Sequence, residues 1–247
     1  PLGAHFITPS DTRAARGTRR ARHDRPKARH AGFDLDQTRL ERDVGPGLVG
    51  RAFLERSADD SVVVFEHEVD ARRVMDVLPK RFGKYGLTLH PDKTRLVKFT
   101  RPTRVGNGGK PAERPSSFDL LGFTHYWGVS RKGNWVVKTK TMRARFTRAL
   151  GSIRAWCRTH LHDPIAEQAK RLGAKVRGHL GYYGITGNSL SISRFVEEVR
   201  SVWYKWLSRR SNQGGIPWNR YVLILARFPL PKPRVRAPVL RPTGANP

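Results

Sequence analysis

Two adjacent carboxylates, Asp59 and Asp60, form the part of this sequence best suited to chemistry. They lie between two short apolar, β-prone runs, Arg51–Arg56 and Ser61–Phe65. Neighbouring carboxylates repel each other, and strands disfavour aspartate. Carboxylate oxygens held on a rigid turn suit Mg²⁺, which acts on phosphate groups in pairs of ions. Taken alone, the two residues favour an acidic β-turn that binds no ligand, with a two-metal site as the alternative.

The charge of the chain indicates a polyanionic partner. Lysine and arginine number 48 against 20 acidic residues, so the net charge is +28 over 247 residues. Such an excess repels itself in the compact state and favours binding to a polyanion. The sequence has no apolar run long enough to span a bilayer and no signal-peptide pattern. We therefore expect nucleic acid, RNA or DNA, as the partner and no membrane association.

The cysteine count indicates the cellular compartment, and the first residues indicate what kind of chain this is. Cys157 is the single cysteine, so no disulfide can form within the chain and a reducing compartment is expected. The corresponding prediction is a cytoplasmic protein of bacterial type. The chain opens on Pro1-Leu2-Gly3 instead of methionine, which indicates a fragment or a processed chain.

The first half of the sequence predicts strands with one helix. Residues 1–33 are rich in arginine and poor in large apolar residues, which is typical of a disordered basic arm. The two β-prone runs around the carboxylates predict a hairpin. A helix is expected to begin with Asp70 as its N-cap and to end at Gly86. Pro and Gly residues over 101–116 predict a loop.

From about residue 141 the apolar period becomes helical. A first helix carries Met142, Phe146 and Ile153 on one face, a second follows Asp163-Pro164, and a third follows Asn188-Ser189. Gly214-Gly215 is expected to close the third helix. The predicted fold class is therefore α+β, with antiparallel strands and a helix followed by a helical domain. The predicted domains are a disordered arm, a strand-rich unit, a helical unit and a Pro-rich tail, over residues 1–33, 34–140, 141–228 and 229–247.

The order of these features resembles a known family. An Ala-Asp-Asp hairpin is followed by a helix, by Gly-Leu-Thr-Leu-His-Pro-Asp-Lys-Thr at 86–94, and by Phe-Asp-Leu-Leu-Gly-Phe at 118–123. Arg177-Gly178-His179 and Tyr182-Tyr183-Gly184 come later. This succession resembles the late palm and the thumb, or maturase-specific X domain, of group II intron reverse transcriptases. The resemblance covers about residues 34 to 235 and implies a partial palm over 34–140 and a thumb or X domain over 141–228.

The resemblance implies a role for each motif. Asp59 and Asp60 would hold the Mg²⁺ ions of RNA-directed DNA synthesis, and Lys93 would assist the departing pyrophosphate. Lys93 is otherwise a surface lysine in a turn. The primer grip would be Leu121, Gly122 and Phe123, where glycine lets a nucleic-acid strand approach the backbone; the alternative is a buried strand with a bulge. The implied partner is group II intron RNA, bound during splicing and retrohoming.

Arginine faces of the helical domain predict contacts with RNA that need no metal. Phosphate contacts are expected from Arg143, Arg145, Arg148, Lys175 and Arg177. His179 and Tyr182 are predicted to lie beside the apolar stripe of the second helix and to make contacts beyond phosphate. Unpaired bases could stack on Tyr182, Tyr183 or Trp127, although core packing is the preferred interpretation for Tyr183.

Several departures from the family pattern predict that DNA synthesis is impaired. Ser57 stands where the family usually has an aromatic residue before Ala-Asp-Asp. A third metal-binding carboxylate, a Pro-Gln-Gly element and the fingers find no matching segment upstream. The chain is therefore interpreted as a reverse transcriptase truncated within its palm, and whether it is an enzyme stays open.

Two alternatives remain beside this interpretation. The first is a non-catalytic RNA- or DNA-binding remnant without a role in an intron. The second is half of a zinc site in Cys157-x-x-His160-x-His162, for which the sequence offers no evident fourth ligand.

Overall fold

The protein has an α+β fold. Its structure, a computed structural model, gives five α-helices and small sheets of antiparallel strands in the part of the chain that it describes. The described residues are 3–7, 13–14, 47–57, 60–84, 86–89, 94–102, 115–210 and 214–235. The chain is divided into two compact units. Unit 1 comprises Pro1–Leu121 and His125–Val137, and unit 2 comprises Gly122–Thr124 and Lys138–Pro247.

A four-stranded antiparallel sheet forms the centre of unit 1. Its strands are β1 (Gly3–Ile7), β3 (Ala52–Ser57), β4 (Asp60–Phe65) and β6 (Leu96–Thr100), in the order β3-β4-β1-β6. Strands β3 and β4 pair from Ala52 opposite Phe65 down to Ser57 opposite Asp60, so the predicted hairpin is confirmed. The two-residue strands β2 (Arg13–Ala14) and β5 (Leu87–Thr88) pair separately.

Strand β1 departs from the disordered arm expected over residues 1–33. Gly3–Ile7 pairs with β4 on one side and with β6 on the other. Three apolar residues, Ala4, Phe6 and Ile7, fall within these five positions, so a short run sufficed for a central strand although the surrounding composition is basic. Because β1 lies between β4 and β6, the connection from β4 to β6 is a split β-α-β unit.

Helix α1 (Glu68–Gly83) provides this connection and packs its apolar face against the sheet. Val74, Leu78 and Phe82 are buried with Val63 and Phe65 of β4 in one cluster. Burial of each such side chain contributes about 1.5–3 kcal/mol.

The predicted N-cap of this helix, Asp70, is wrong, because the helix begins three residues earlier. His67 is the N-cap, and Asp70 lies buried in the first turn. The Asp70 carboxylate accepts hydrogen bonds from the backbone N–H groups of Val49 and Gly50 at 3.0–3.1 Å. A carboxylate near a helix N-terminus is favourable in either position, but here its partners belong to the loop that leads into β3.

Three further strands follow in a second antiparallel arrangement. They are β7 (Ser117–Leu120), β8 (Phe123–Val129) and β9 (Trp135–Thr141), in that order in the sheet. A hairpin turn through Arg131–Asn134 joins β8 to β9, and Gly133 in this turn has φ 78°. Within unit 1, Phe118 and Phe99 pack edge to face at 5.0 Å, and Trp127 stacks on Phe99 at 5.3 Å.

Unit 2 contains four helices around one core. They are α2 (Arg143–Thr159), α3 (Ile165–Tyr183), α4 (Ser189–Leu207) and α5 (Trp218–Arg227). The predicted starts at Asp163-Pro164 and Asn188-Ser189 are confirmed to within one residue, because Pro164 and Asn188 are the N-caps. The third predicted helix was expected to close at Gly214-Gly215, yet α4 ends at Leu207, and α5 was not predicted.

Two buried polar side chains hold the ends of these helices. The Gln168 amide donates to the carbonyl oxygens of His160, Leu161 and Asp163 at 2.8–3.2 Å and accepts from Trp203 Nε1 at 2.9 Å. It thereby supplies hydrogen bonds to carbonyl groups of the turn between α2 and α3 that lack helical partners. Asn188, the N-cap of α4, hydrogen-bonds to Thr141 of β9 and to the carbonyl oxygen of Tyr183 at the end of α3.

The segment after α5 has no helix or strand over the described residues 229–235, as expected, but it is packed. Leu230 is buried in the core of unit 2. A Cβ built on Gly184 would lie 2.9 Å from the carbonyl oxygen of Arg234, and one built on Gly173 would lie 3.8 Å from Pro231 Cδ. This segment therefore runs along α3.

Candidate nucleic-acid interface

A stretch of 43 residues without any aspartate or glutamate runs from Leu120 to His162 and contains nine lysines and arginines. It covers β8, β9 and α2. Five of the nine are on α2, and all five are exposed: Arg143, Arg145, Arg148, Arg154 and Arg158. The first three are among the residues predicted to contact phosphate. The stronger signal, the absence of acidic residues around them, is visible in the sequence and was missed.

The arginines of α2 also differ from those of the neighbouring helices in their ion pairing. Glutamates one turn away pair with Arg171, Arg194 and Arg200 on α3 and α4, at N–O distances of 2.8, 3.8 and 2.7 Å. Within the described ranges, no carboxylate forms an ion pair with an arginine of α2. The first turn of α2 has no acidic residue, so the positive end of the helix dipole adds to the charge. We call the exposed side of α2 that carries these five arginines the arginine face. In the described structure it is a region of positive potential without paired carboxylates.

The turn between β7 and β8 lies beside these arginines. Leu121 and Gly122 both have left-handed backbones, with φ of 51° and 77°, which is the pattern of a two-residue hairpin turn. A Cβ built on Gly122 would lie 2.9 Å from Tyr183 Oη and 3.6 Å from Arg145 Cγ. The Met142 N–H donates to the Gly122 carbonyl at 2.9 Å. Gly122, the central residue of the predicted primer grip, therefore adjoins the start of α2 and the end of α3.

A row of five aromatic rings continues from this turn into the core. The Phe123 ring is nearly parallel to Tyr182 (14°, centroids 5.9 Å apart) and edge-on to Tyr183 at 5.2 Å. Tyr183 lies 4.6 Å from the ring of His179, which stacks on Phe195 at 3.6 Å. We call these rings the aromatic row. It runs from an exposed end at Tyr182 to a buried end at Phe195.

His179 lies within the apolar stripe of α3, not beside it as predicted. It follows the buried Val176 by three residues and precedes Tyr183 by four, which places all three on one helix face. Burial lowers the pKa of His179 to about 4, so its ring is neutral near pH 7. Its Nε2 is buried and has no hydrogen-bond partner in the described structure. The predicted RNA contact of His179 stays a prediction, and the packing favours a supporting role.

Tyr182 and Tyr183 differ in exposure although they are adjacent. Tyr182 is 55% exposed, whereas Tyr183 is half-buried. Burial and then the neighbouring Tyr182 raise the pKa of Tyr183, while Arg145 and Arg148 act in the opposite direction. Both guanidinium groups are therefore close enough to the Tyr183 phenol to influence it, so the arginine face and the aromatic row adjoin.

Lys175 and Arg177 lie on the solvent side of α3, as the predicted phosphate contacts require. Lys175 Nζ is 5.7 Å from the ring centroid of Trp156 on α2. This cation–π contact orients the lysine side chain along the same helix pair that carries the arginine face.

The predicted metal site falls largely outside the described residues. Asp59 and Lys93 are not described, and Asp60 is described only through its backbone pairing with Ser57. Carboxylate oxygens are suitable donors for Mg²⁺. In the described part of the chain, however, no three His, Cys, Asp or Glu side chains come together to hold a metal ion. The Mg²⁺ ligands stay predictions.

Cys157, the thiol of the alternative zinc site, is a core residue. It is buried among the apolar side chains of unit 2, and burial raises its thiol pKa to about 11. Zinc binds the thiolate, which this environment disfavours. His160, the second residue of that motif, stacks on Trp156 at 4.7 Å.

No protein-family model matches the chain, and no curated protein matches its sequence. Among the described helices, none is both long enough and apolar enough to cross a bilayer.

Proposed function

We propose that this protein binds structured RNA through the arginine face of α2 and the adjoining turn at Gly122, and that the RNA is a group II intron. The observation that carries the proposal is the acid-free stretch, whose exposed α2 arginines have no carboxylate partner within the described structure. Uncompensated arginines on a rigid helix suit a polyanion, because each phosphate contact releases counterions from the nucleic acid.

The family assignment rests on the order of the sequence motifs. The Ala-Asp-Asp hairpin, the 86–94 segment and the Phe-Asp-Leu-Leu-Gly-Phe segment resemble the late palm of a group II intron reverse transcriptase. An antiparallel sheet with one helix, followed by a helical unit, is compatible with a partial palm and a thumb or X domain. A protein of this type would bind intron RNA during splicing and retrohoming.

The parent activity is RNA-directed DNA synthesis, and we propose that it is impaired in this chain. When bound, two Mg²⁺ ions would stabilise the attacking 3′-oxygen and the leaving pyrophosphate. Asp59 and Asp60 would be their ligands and Lys93 a cationic neighbour of the leaving group. No segment of the sequence matches the family's third metal-binding carboxylate, and Ser57 stands in place of an aromatic residue, so metal affinity and primer positioning would be reduced.

A second candidate function is general binding of RNA or DNA without preference for an intron. The net charge of +28 favours it, because phosphate contacts carry no sequence information. The two functions separate on specificity. A maturase-type protein prefers its folded intron over an unrelated RNA of equal length at matched salt, whereas a general binder does not.

The test compares two triple variants of the full chain that lose the same charge. The first replaces Arg143, Arg145 and Arg148 with Ala. The control replaces Arg171, Arg194 and Arg200, which are paired with glutamates. We expect the first variant to bind structured RNA more weakly, with a log–log salt slope reduced by about 0.7–0.9 for each lost contact. The control should bind nearly as the wild type does. Equal loss in both variants, or no loss in either, would refute the interface.

A further inference from the structure

The exposed end of the aromatic row has the form of a stacking surface. More than half of Tyr182 is exposed (55%), while Phe123, against which its ring lies nearly parallel, is buried at 8% exposure. One face of the tyrosine is therefore supported by the protein. An aromatic ring that is held flat and exposed can stack on a nucleobase of any identity, since every base has a π-face.

The rings beneath Tyr182 limit its freedom before any ligand arrives. Tyr183 packs edge-on against both Tyr182 (4.8 Å) and Phe123 (5.2 Å). Its hydroxyl occupies the space that a side chain at Gly122 would need. His179 and then Phe195 continue the row into the core. Preorganisation of this kind strengthens binding because less side-chain entropy is lost when the ligand binds.

Positive charge lies close to Tyr183, the neighbour of Tyr182. Arg145 Cγ approaches the Gly122 turn, and both Arg145 and Arg148 act electrostatically on the phenol of Tyr183. Arg145 and Arg148 are therefore the candidates to bind the phosphate of a nucleotide whose base stacks on Tyr182. Arginine is suited to this role, because its planar fork binds phosphate oxygens in pairs.

We infer that Tyr182 is the stacking site for one unpaired nucleobase, whose flanking phosphate is bound by Arg145 and Arg148. This inference rests on the proposed RNA-binding function and narrows its ligand to RNA with a bulged or looped-out nucleotide. A fully paired helix keeps its bases inside the stack and offers none to the ring. Of the other aromatic candidates, Tyr183 is half-buried with its hydroxyl against the turn, and Trp127 is packed on Phe99 in unit 1.

The probes are three RNA hairpins of one sequence. One carries a single bulged 2-aminopurine, one carries an abasic residue at that position, and one is fully paired. The full-length wild-type protein should bind the 2-aminopurine hairpin about five- to a hundredfold more tightly than the other two. Stacking on Tyr182 should also quench the fluorescence of the bulged base. Equal affinity for the three hairpins, or binding without quenching, would overturn the inference.

Two substitutions assign the effect to the ring. Tyr182→Phe keeps the π-face, so the preference for the bulge and the quenching should remain. Tyr182→Leu keeps apolar area but removes the ring, so both should disappear while affinity for the paired hairpin stays constant. A preference that survives Tyr182→Leu would overturn the inference. The wild-type quenching measurement stands by itself if the leucine variant is poorly folded.

The arginine variants separate failure of this inference from failure of the proposed function. If Arg143, Arg145 and Arg148 can be replaced with Ala without weakening binding to the paired hairpin, the proposed interface is wrong. If that binding weakens but Tyr182→Leu changes nothing, the interface stands and the stacking site alone is wrong.

Discussion

Asn188 and Thr141 hydrogen-bond to each other twice in the interior of unit 2. The Thr141 N–H donates to Asn188 Oδ1, and Asn188 Nδ2 donates to Thr141 Oγ1, both at 2.8 Å. Asn188 Nδ2 also donates to the Tyr183 carbonyl oxygen at 2.8 Å. One side chain at the start of α4 thus joins the end of β9 to the end of α3, the two segments that flank the arginine face and the aromatic row.

Asn188→Ala should destabilise unit 2 by about 2–4 kcal/mol, because it removes three hydrogen bonds and leaves buried polar groups without partners. The measurement is chemical denaturation followed by tryptophan fluorescence, to which the buried Trp203 contributes together with the other five tryptophans. Ser189→Ala is the matched control, since Ser189 is the next residue along the chain and its side chain is exposed. A loss below about 0.5 kcal/mol, the size of an ordinary surface change, would show that water replaces these contacts.

Gly122→Ala should cost more than the backbone conformation alone explains. A left-handed backbone costs a non-glycine residue about 1–2 kcal/mol, and the new Cβ would also lie 2.9 Å from Tyr183 Oη. Gly86→Ala measures the first effect alone, because Gly86 has φ 66° with open space around it. In a Tyr183→Phe background, part of the Gly122→Ala cost should be recovered. Equal costs at Gly122 and Gly86 would mean that the tyrosine simply moves aside.

The stability of unit 2 should fall as the pH is lowered from about 6.5 toward 4. Burial lowers the pKa of His179 from 6.5 to about 4, so the unfolded chain takes up a proton in this window that the folded chain does not. His179→Phe removes the titrating group and keeps a ring against Phe195, so the pH dependence should be shallower. Burial also lowers the pKa of His125 in unit 1, and this contribution is the same in both proteins. An unchanged slope would contradict the buried position of His179.

Purified protein should not extend a primer on an RNA template above background when Mg²⁺ and nucleotides are supplied. Two metal ions need ligands that also position the 3′-oxygen, and no segment of the sequence matches the family's third metal-binding carboxylate. Asp76→Ala, a change at an exposed aspartate of α1, is the control for Asp59→Ala. Template-dependent extension that Asp59→Ala abolishes and Asp76→Ala preserves would contradict this prediction and show that the chain is an active polymerase.

Local sequence signals predicted those elements whose ends are set by local chemistry. The start of α4 at Asn188-Ser189 and the hairpin of β3 and β4 are examples, because N-cap preferences and β-prone runs act over a few residues. Asp70 was misplaced since its hydrogen-bond partners, Val49 and Gly50, are distant in sequence. Helix α5 was missed because it is short and follows glycine and proline residues.

The candidate site was predictable in its parts and not in its assembly. The arginines of α2 and the Leu121–Phe123 segment were recognisable from the sequence. The approach of Tyr183 to Gly122 joins residues about sixty positions apart, and no periodicity encodes it. The same applies to His179, whose polar ring gave no indication that it would stack on Phe195.

The position of Leu230 has a consequence for the order in which the chain is synthesised. The core of unit 2 includes Leu150 on α2 and also Leu230 beyond α5. Helices α2, α3 and α4 are therefore made with their apolar faces incompletely covered, and they must wait until the ribosome has translated some eighty further residues after Leu150. Exposed apolar surface at this stage favours aggregation and chaperone binding. A ribosome that stalls between α4 and Leu230 would leave a helical intermediate whose strongly basic face is complete before its core is.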